Sequence, residues 1–271
     1  MARGQFAVAA EPATVDLGVL PCDLDRGIAH RAAIGLLVLA TDQTMEHEWR
    51  QLVRGDGIGF YEARLYNDVE ITTETLRAIR DRIAPATALI LPGLPLDVVA
   101  FGCTSATMTL GEDVIFAEIR KARPGAACTT PVTAAFAAFR ALGARRIGLL
   151  TPYSREVNET VCAYLAAHDV DVAAFATFDK PDDREAARIS PRSIAEGVKA
   201  LAAGAKLDAI FVSCTSLRIA EAVSAIEDEI GLPVTSSDHA MAWHALRLAG
   251  VGDWVPRVGR LFEIENAPKA D

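Results

Sequence analysis

Two short stretches of the sequence, "GCTS" at 102–105 and "SCTS" at 213–216, carry the same triplet Cys-Thr-Ser. Each triplet ends an apolar run, and an Asp stands six residues before each Cys, so Cys103 and Cys214 lie 111 positions apart in matched surroundings. A cysteine thiolate can act as a nucleophile or as a base. Two such groups on opposite faces of a planar intermediate could take a proton from one side and return it from the other, which would invert stereochemistry without a cofactor.

The position of each thiol also indicates how it would be activated. A side chain at the end of a strand and directly before a helix lies near unpaired backbone N–H groups and the positive end of the helix dipole. We therefore expect the pKa of both thiols to fall below the ordinary value of about 8.5. The same N–H groups and the hydroxyls that follow each Cys form a cradle for a carboxylate or enolate oxygen. The hydroxyl residues are Thr104, Ser105, Thr215 and Ser216.

The elements that must position these turns alternate between short Val/Ile/Leu-rich runs and stretches of helical period, which is typical of βα units around a parallel sheet. Strands are predicted at 34–40, 97–102, 146–151 and 208–213. Helices are predicted from apolar residues that share a face: Met45, Trp49, Leu52 and Val53; Leu76, Ile79 and Ile83; and Ile194, Val198 and Leu201, with Ser190 as N-cap before Pro191. The glycine-rich "GDGIGF" at 55–60 lacks dinucleotide-binding spacing and is predicted to be a loop. The fold class is α/β.

Self-similarity at a nearly fixed offset indicates a duplication. "IGLL" occurs at 34–37 and again at 147–150, and a short strand, a hydroxyl-rich turn and an Ala-rich helix closed by Gly recur at 128–143 and 234–250. If two such halves are related by a pseudo-two-fold axis, the carboxyl ends of both sheets face one cleft and the two Cys confront each other. The predicted first lobe is 20–127 plus 235–271, which carries Cys103. The second is 128–234, which carries Cys214.

Composition limits the remaining function classes. The 271 residues are 51% hydrophobic, without an apolar run long enough to span a membrane or a recognisable secretory signal, so a cytoplasmic location is expected. The net charge of −9 and the lack of basic clusters with interleaved aromatics argue against nucleic-acid partners. No H-E-x-x-H or C-x-x-C motif indicates a metal site, and no cofactor is predicted. The other cysteines, Cys22, Cys128 and Cys162, are interpreted as reduced packing residues.

The motifs now described resemble a known family. "DVVAFGCTSATM" at 97–108, "FVSCTSLR" at 211–218, "TPY" at 151–153 and "TMEHE" at 44–48 are similar to the maleate cis–trans isomerase and arylmalonate decarboxylase branch of the aspartate/glutamate racemase superfamily. Within that branch the chain looks most similar to the ectoine-utilisation member, over about residues 30–250.

The resemblance implies two Rossmann-like, flavodoxin-like lobes and a cofactor-free active site between them, in an enzyme that can form a homodimer. It implies that Cys103 adds to a substrate double bond to give a succinyl-type adduct, and that Cys214 supplies or removes a proton on carbon. Tyr153 corresponds to a family tyrosine that contacts a substrate carboxylate. The decarboxylases keep only the second Cys, so the presence of both here favours isomerase or racemase chemistry.

Three departures from the family bear on the substrate. Asp42 and Asp183 stand where the isomerases carry substrate-contacting Asn residues, and Asp238-His239 replaces the usual Asn-Gln. An Asn amide can donate to a carboxylate, whereas an ionised Asp only accepts. We hypothesise that Asp42 and Asp183 bind a positive charge, so that the small carboxylate substrate is zwitterionic or carries an amidine, as an amino acid or ectoine does. The alternative is that these Asp residues only cap helices. His239 is either a polar helix-start residue or a group that tunes Cys214.

Three functional classes remain open from the sequence. The first is a cofactor-independent isomerase or racemase that uses both thiols in ectoine or amino-acid catabolism. The second is an arylmalonate-type decarboxylase that uses Cys214 alone. The third is a non-catalytic protein that binds a metabolite.

Overall fold

The computed structural model describes residues 14–68, 73–253 and 255–264, and within them two parallel four-stranded sheets are flanked by helices. Sheet A has the order β2-β1-β3-β4 and sheet B the order β6-β5-β7-β8. The strands of sheet A are β1 (Ala32–Leu39), β2 (Ile58–Leu65), β3 (Val98–Gly102) and β4 (Ala127–Thr129), and those of sheet B are β5 (Arg146–Thr151), β6 (Asp171–Thr177), β7 (Ala209–Val212) and β8 (Val234–Ser236). The predicted α/β class with two lobes is confirmed.

The central strands were predictable because both of their faces are covered. In β1, β3 and β7 almost every side chain is buried, and a strand buried on both faces is a continuous apolar run. The edge strands β2 and β6 are half-exposed and mix charged with apolar residues, so no such run marks them. For this reason the prediction of a loop over 55–60 is partly wrong: the turn ends at Gly57, and β2 begins at Ile58.

The helices cover both faces of each sheet. In chain order they are α1 (Met45–Leu52), α2 (Thr73–Ala78), α3 (Arg80–Leu89), α4 (Thr104–Leu110), α5 (Glu112–Ala122), α6 (Pro131–Leu142), α7 (Arg155–Ala166), α8 (Asp183–Ala186), α9 (Pro191–Gly204), α10 (Val223–Ile230) and α11 (Ser237–Leu248), followed by a 3₁₀ helix at Arg260–Glu263. The predicted start of α9 is confirmed, because the Ser190 hydroxyl accepts the Ser193 N–H at 3.1 Å and Pro191 opens the helix. The apolar face predicted for α1 is also confirmed.

One predicted helix is two helices in the structure. Leu76, Ile79 and Ile83 indicated a single segment, but α2 ends and α3 begins on either side of Ile79. There the Arg82 N–H bonds the Ile79 carbonyl three residues back, at 3.0 Å, instead of continuing the regular helical ladder. The periodicity of the apolar residues does not register this break, because Ile79 and Ile83 are both buried.

The internal duplication extends to equivalent contacts. Asp97 and Asp208, the Asp residues six positions before each Cys, both accept a backbone N–H from the first strand of their own sheet, from Ala33 and Arg146 respectively, each at 2.8 Å. The two Asp residues therefore hold β3 and β7, and with them the cysteine turns, in the same register against the neighbouring strand. This contact explains why each Cys-Thr-Ser triplet has an Asp at the same distance before it.

Two helices join the lobes. Helix α11 follows β8 of sheet B, yet its residues Ala240, Met241 and Trp243 belong to the core that covers one face of sheet A. Helix α6 contributes alanines to that core and Phe139 to the core of sheet B. The lobe boundaries proposed from the sequence, 127/128 and 234/235, stay a prediction, and both fall within the last strand of a sheet.

The cysteines outside the repeated turns differ in environment. All five cysteines are free; Cys128 is buried and Cys162 half-buried, but Cys22 is exposed. The interpretation of Cys22 as a packing residue is therefore wrong, because it lies in an irregular segment whose side chains are exposed over 14–28. Among the described residues, no helix has the length and apolar character needed to cross a membrane.

Candidate active site

Cys103 lies between the end of β3 and the start of α4. Its backbone is extended, with φ −151° and ψ 115°, and its Sγ accepts the Ala106 N–H at 3.3 Å, so the side chain serves as the helix N-cap. The Ser105 hydroxyl lies 3.6 Å from the same sulfur. The prediction of a helix start behind the first thiol is confirmed.

Cys214 has no helix directly behind it, so the same prediction for the second thiol is wrong. Residues 213–222 form a loop, and α10 begins only at Val223. The Ser216 N–H donates to Cys214 Sγ at 3.4 Å. Further along the loop, backbone N–H groups bind a side chain of α1 in the other lobe rather than the carbonyls of a helical turn. This interaction with the first lobe is the physical reason why the repeated triplet has two different structures.

Ser237, the first residue of α11, connects the two cysteine turns. Its hydroxyl accepts the Cys214 N–H at 3.1 Å and lies 3.4 Å from the Thr104 hydroxyl, in a hydrogen bond for which either oxygen can be the donor. Thr104 therefore helps to hold the turn of Cys103 against the turn of Cys214. Its place in an anion cradle stays a prediction.

A small, mostly enclosed cavity of about 40 Å³ lies between the lobes and is lined by both thiols. Eight of the nine residues predicted for the site line it: Asp42, Cys103, Thr104, Ser105, Tyr153, Asp183, Cys214 and Thr215. Ser216 does not line it but contacts two of these residues, through its N–H to Cys214 Sγ and its hydroxyl to Asp183 Oδ1 at 3.3 Å. The structure thus brings the predicted residues together. Their individual roles stay predictions.

Sequence reasoning missed five residues of the cavity wall. They are Leu39, Asn67, Asp68, Thr75 and Ile79. Asn67 and Asp68 follow β2, and the carboxyl end of a parallel strand is where open α/β sheets place ligand contacts. Recognition of β2 as a strand would have identified both. Asn67 is held by Thr41, whose backbone N–H it accepts and whose hydroxyl it bonds at 2.9 Å.

Asp42 caps a helix and also faces the cavity, so the alternative that it only caps a helix is wrong. Its Oδ1 accepts the N–H groups of Thr44 and Met45, each at 2.8 Å, and so caps the start of α1. It also lines the cavity, as Thr215 does. Burial raises the pKa of Asp42, and the capping N–H groups oppose this effect.

Asp183 faces the cavity without capping its own helix. The cap of α8 is Asp182, whose carboxylate accepts the Arg184 N–H at 2.8 Å. The carboxylate of Asp183 instead accepts the Ser216 hydroxyl. Burial raises the pKa of Asp183, and the negative charge of Asp42 raises it further. The alternative that Asp183 only caps a helix is therefore wrong.

The expectation of acidic thiols is wrong. Burial raises the pKa of Cys103 to about 11, and the Ala106 N–H only partly opposes it. Burial raises the pKa of Cys214 still further above its usual range, with Asp183 as the next largest cause. The helix start lowers the pKa of a thiol less than the loss of solvation and the charges of Asp42 and Asp183 raise it.

Tyr153 follows the carboxyl end of β5 and lines the cavity beside Cys214. Burial raises the pKa of the tyrosine well above its ordinary value, and the nearby Cys214 raises it further. The neighbouring carbonyl of Tyr153 accepts the Asn158 amide at 2.9 Å and the Thr177 hydroxyl at 2.5 Å. The phenol is thus a neutral hydrogen-bond donor on a well-fixed backbone.

Asp238 and His239 lie behind the cavity rather than in it. His239 is fully buried between the Thr235 hydroxyl and the Val258 carbonyl, and burial lowers its pKa to about 4. It packs as a neutral residue and contacts Phe262, so it is not arranged to tune Cys214. Asp238 is fully buried, and neither of its carboxylate oxygens has a hydrogen-bond partner.

The charge of the cavity wall is negative. Asp42, Asp68 and Asp183 line it, and none of the described residues in its lining is Lys, Arg or His. Asp68 has a partner, because Arg82 approaches its carboxylate at 3.9 Å, but that arginine is not part of the lining. Among the described residues, no group of three or more His, Cys, Asp or Glu side chains is arranged to ligate a metal. The arrangement places two thiols, a phenol and three carboxylates around one small space.

The chain is similar to two kinds of enzyme. A sequence profile of the arylmalonate decarboxylase family matches residues 34–262. The arylmalonate decarboxylase of Bordetella bronchiseptica is 36% identical over 141 residues, which cover 51% of this chain and 59% of that protein. The maleate isomerase of Geobacillus stearothermophilus is 27% identical over 253 residues, which cover 87% of this chain and 98% of that protein.

A solved structure of the second kind is also similar. It is the Nocardia farcinica maleate cis–trans isomerase, as a mutant in which serine replaces a cysteine, with a covalently bound succinylcysteine intermediate. The two chains are 26% identical, with a TM-score of 0.74 over 85% of this chain and 98% of that one.

Proposed function

Because the chain belongs to the arylmalonate decarboxylase family, we propose that it is a cofactor-independent isomerase or racemase in which Cys103 and Cys214 act on a small carboxylate substrate. The observation that carries this proposal is that thiols from the two lobes line one cavity. An arylmalonate-type decarboxylase that uses Cys214 alone would need only one of these two thiols. The similarity to maleate isomerases over 87% of the chain supports the two-thiol alternative.

The proposed chemistry for an alkene substrate begins with the thiolate of Cys103. Its sulfur forms a bond to one alkene carbon, and the π-electron pair moves to the adjacent carbon, where the substrate carboxylate stabilises it. The Cys214 thiol gives its proton to that carbon. Rotation about the new single bond, return of the proton to Cys214 and cleavage of the C–S bond give the other isomer. The succinylcysteine intermediate of the Nocardia farcinica enzyme supports an adduct of this type.

For a substrate with a stereocentre, the same pair of groups supports racemisation. One thiolate takes the proton next to the carboxylate, and the thiol on the other side donates its own proton to the opposite face. The hydroxyls of Ser105 and Thr215 and the phenol of Tyr153 line the cavity as donors for the enolate oxygens that form in either reaction.

The substrate that we propose carries a positive charge as well as a carboxylate. Asp42 and Asp183 face the cavity, whereas no Lys, Arg or His is among its described lining residues. An amine or amidinium group between these carboxylates would form charge-assisted hydrogen bonds. It would also neutralise the carboxylate charge that helps to keep the pKa of both thiols high, so that binding of the substrate would itself favour a thiolate.

An amino acid or a cyclic amidine such as ectoine meets these requirements, and we therefore place the protein in amino-acid or ectoine catabolism. Its five free thiols suit the reducing cytoplasm. We also propose that the protein forms a homodimer, and this part of the proposal rests only on the resemblance to the family.

Separate Ser substitutions of the two thiols test the reaction class. We expect Cys103→Ser and Cys214→Ser each to lower turnover by about a hundredfold to ten-thousandfold, because each removes one proton-transfer or covalent step. Cys128→Ser is the matched control, since Cys128 is buried but does not line the cavity. Loss at Cys214 alone would indicate the decarboxylase instead. Ligand binding without turnover in the unaltered protein would indicate a non-catalytic binding protein.

A substrate panel in heavy water tests the substrate class. The protein is incubated with maleate, aspartate, glutamate, 3-hydroxyaspartate and ectoine, and deuterium and chirality are followed in each compound. We expect label or inversion in a compound that carries a cation. Asp42→Asn and Asp183→Asn should then weaken binding of that compound. Efficient turnover of maleate, with no reaction of the amino acids or ectoine, would contradict the assignment.

A further inference from the structure

The loop that carries Cys214 depends on the other lobe for its shape. Residues 213–222 have no helix to order them, and their backbone groups find partners on α1, which starts at the carboxyl end of a strand of sheet A. The Thr44 hydroxyl, just before α1, donates to the Ser216 carbonyl at 3.2 Å. One turn further along α1, the Glu48 carboxylate is directed at the same loop.

Glu48 makes the closest of these contacts. A single oxygen, Oε2, accepts the N–H of Ile219 at 3.0 Å and the N–H of Ala220 at 2.8 Å. Glu48 is 1% exposed although it is a charged residue type, and a buried carboxylate of this kind is retained where it satisfies specific donors. Without it, two adjacent backbone N–H groups in the interior would lack an acceptor.

The same helix also reaches the cavity. Asp42 caps the first turn of α1 through the N–H groups of Thr44 and Met45 and lines the cavity with its carboxylate. The first turns of α1 thus fix a substrate-facing carboxylate at one end and the loop of Cys214 at the other. Cys103 lies in the same lobe as α1, directly after β3 of sheet A. The Glu48 contact therefore joins the loop of Cys214 to the lobe that holds both Asp42 and Cys103.

We propose that Glu48 is a positioning residue for Cys214: its carboxylate holds the Ile219 and Ala220 N–H groups and so keeps the second thiol in place across the lobe interface. The catalytic consequence rests on the proposed two-thiol function, whereas the structural consequence can be measured without any substrate. The charged and titratable groups near Glu48 are His47 on its own helix, Glu221 on the loop and Asp238 on α11.

The test compares Glu48→Ala with Glu48→Gln. Both hydrogen bonds end on one oxygen, so the amide oxygen of Gln can replace that acceptor, whereas Ala removes it. The first readout is amide hydrogen exchange of a peptide that contains 214–222. The second is the rate at which iodoacetamide labels Cys214, measured by mass spectrometry relative to Cys103 and Cys128 in the same sample.

In Glu48→Ala we expect both rates to rise by about tenfold or more at this loop, because a lost charged acceptor frees it to open locally. In Glu48→Gln they should stay near those of the unaltered protein. Glu221→Ala is the control: it lies in the same region of chain, is exposed, and should change neither rate. Thr44→Val, which removes the single bond to the Ser216 carbonyl, is a milder second variant and should give a smaller increase.

Three results would overturn the proposal. One is unchanged exchange and labelling in a folded Glu48→Ala protein. Another is equal acceleration at Cys103 and Cys128, which would indicate general destabilisation. The third is a Glu48→Gln protein as disturbed as Glu48→Ala. If Glu48→Ala does not fold, the other two variants decide. Unchanged exchange and labelling in Thr44→Val, together with faster exchange and labelling in Glu48→Gln, would also refute the proposal. Once a substrate is known, Glu48→Ala should lower kcat much more than it raises KM, since the substrate contacts remain.

Discussion

The pKa of each thiol is raised rather than lowered, because the loss of solvation has a larger effect on it than the backbone N–H groups have. Cys103 does receive an N–H from the start of α4, and this contact alone would lower its pKa. Loss of water acts more strongly, and Asp183 and Asp42 add negative charge nearby. A Cys in such a place is a thiol at neutral pH until the surrounding charge changes. The carboxylates therefore help to keep the sulfurs protonated, and in the proposed function they also bind the cation of the substrate.

This control leads to a prediction for Asp183→Asn. Removal of the carboxylate charge should lower the pKa of Cys214, for which Asp183 is the largest cause of the raised value after burial. At pH 9, iodoacetamide should label Cys214 several times faster in the variant, because the thiolate fraction rises as the pKa falls. Peptide mapping by mass spectrometry measures the rate at each cysteine separately.

Glu185→Gln is a suitable control for that experiment. Glu185 is on the same short helix, is exposed and pairs with Lys180 on the surface at 3.8 Å, so the labelling of Cys214 should not change. Equal labelling rates in Asp183→Asn and the unaltered protein would mean that the carboxylate does not act on this sulfur. Acceleration at Cys128 as well would point to a loosened structure, because Asp183 has no role there.

At the scale of elements, the repeated pattern of the sequence predicts the topology of the sheets well but predicts the local structure around each cysteine less well. The two sheets share one strand order, and Asp97 and Asp208 make the same contact in each. These features follow from short-range apolar runs and from matched spacing. The loop after Cys214 could not be predicted in this way. Its conformation is decided by Glu48, which is 171 residues away from Ile219 in sequence.

The cavity wall was predictable only where a motif marks it. The cysteine turns, Asp42, Tyr153 and Asp183 stand in recognisable sequence patterns. Asn67 and Asp68 follow an edge strand whose mixed sequence hides it, so nothing local indicates that they reach the cavity. The protonation state of the site was equally hidden, since burial and mutual repulsion between carboxylates exist only once the lobes have assembled.

Gly102, the last residue of β3, supports a prediction about the strand that leads into Cys103. A Cβ at this position would lie 3.0 Å from the Leu37 carbonyl oxygen and would collide with the tip of Met45. Gly102→Ala should therefore lower the free energy of unfolding by about 1–3 kcal/mol, as overpacked substitutions do. It should also reduce turnover, because the end of β3 has to move and Cys103 is the next residue. Urea unfolding and steady-state kinetics measure the two effects.

Gly125→Ala is the matched control for the strand substitution. A Cβ at Gly125 meets nothing within 4 Å, and its backbone does not need the left-handed region. We expect little change in stability or turnover. If Gly102→Ala behaved in the same way as Gly125→Ala, the close packing of β3 against Met45 and β1 would not be what holds Cys103 in position.

At the scale of the whole molecule, assembly of the lobes buries an unusual set of acids. Asp42, Glu48, Asp183 and Asp238 lie at or near the interface, and burial is the largest cause of a raised pKa in each. Asp238 is the extreme case, because it is 0% exposed and both of its oxygens lack a partner. A carboxyl group in that environment is neutral in the folded protein and ionised in the unfolded chain at neutral pH.

Asp238 therefore links folding to the uptake of a proton. The folded state binds more protons than the unfolded state, so the free energy of unfolding decreases as pH rises above the unfolded pKa of about 4, by about 1.4 kcal/mol per pH unit for one group. The stabilisation is fully present below that pH and is lost as the pH approaches the raised folded pKa. Asp238→Asn replaces the acid by a neutral group of similar shape and removes this dependence.

We expect Asp238→Asn to be more stable than the unaltered protein at pH 7, with a gain that shrinks towards pH 5. Urea unfolding at pH 5, 6 and 7 gives the free energy at each point. Asp228→Asn, at an exposed position of α10, should reproduce the pH dependence of the unaltered protein. Parallel curves for Asp238→Asn and the unaltered protein would mean that Asp238 is already ionised in the fold. The interface between the lobes would then hold a full buried charge beside Asp42 and Glu48, and Asp238 would not be a neutral acid.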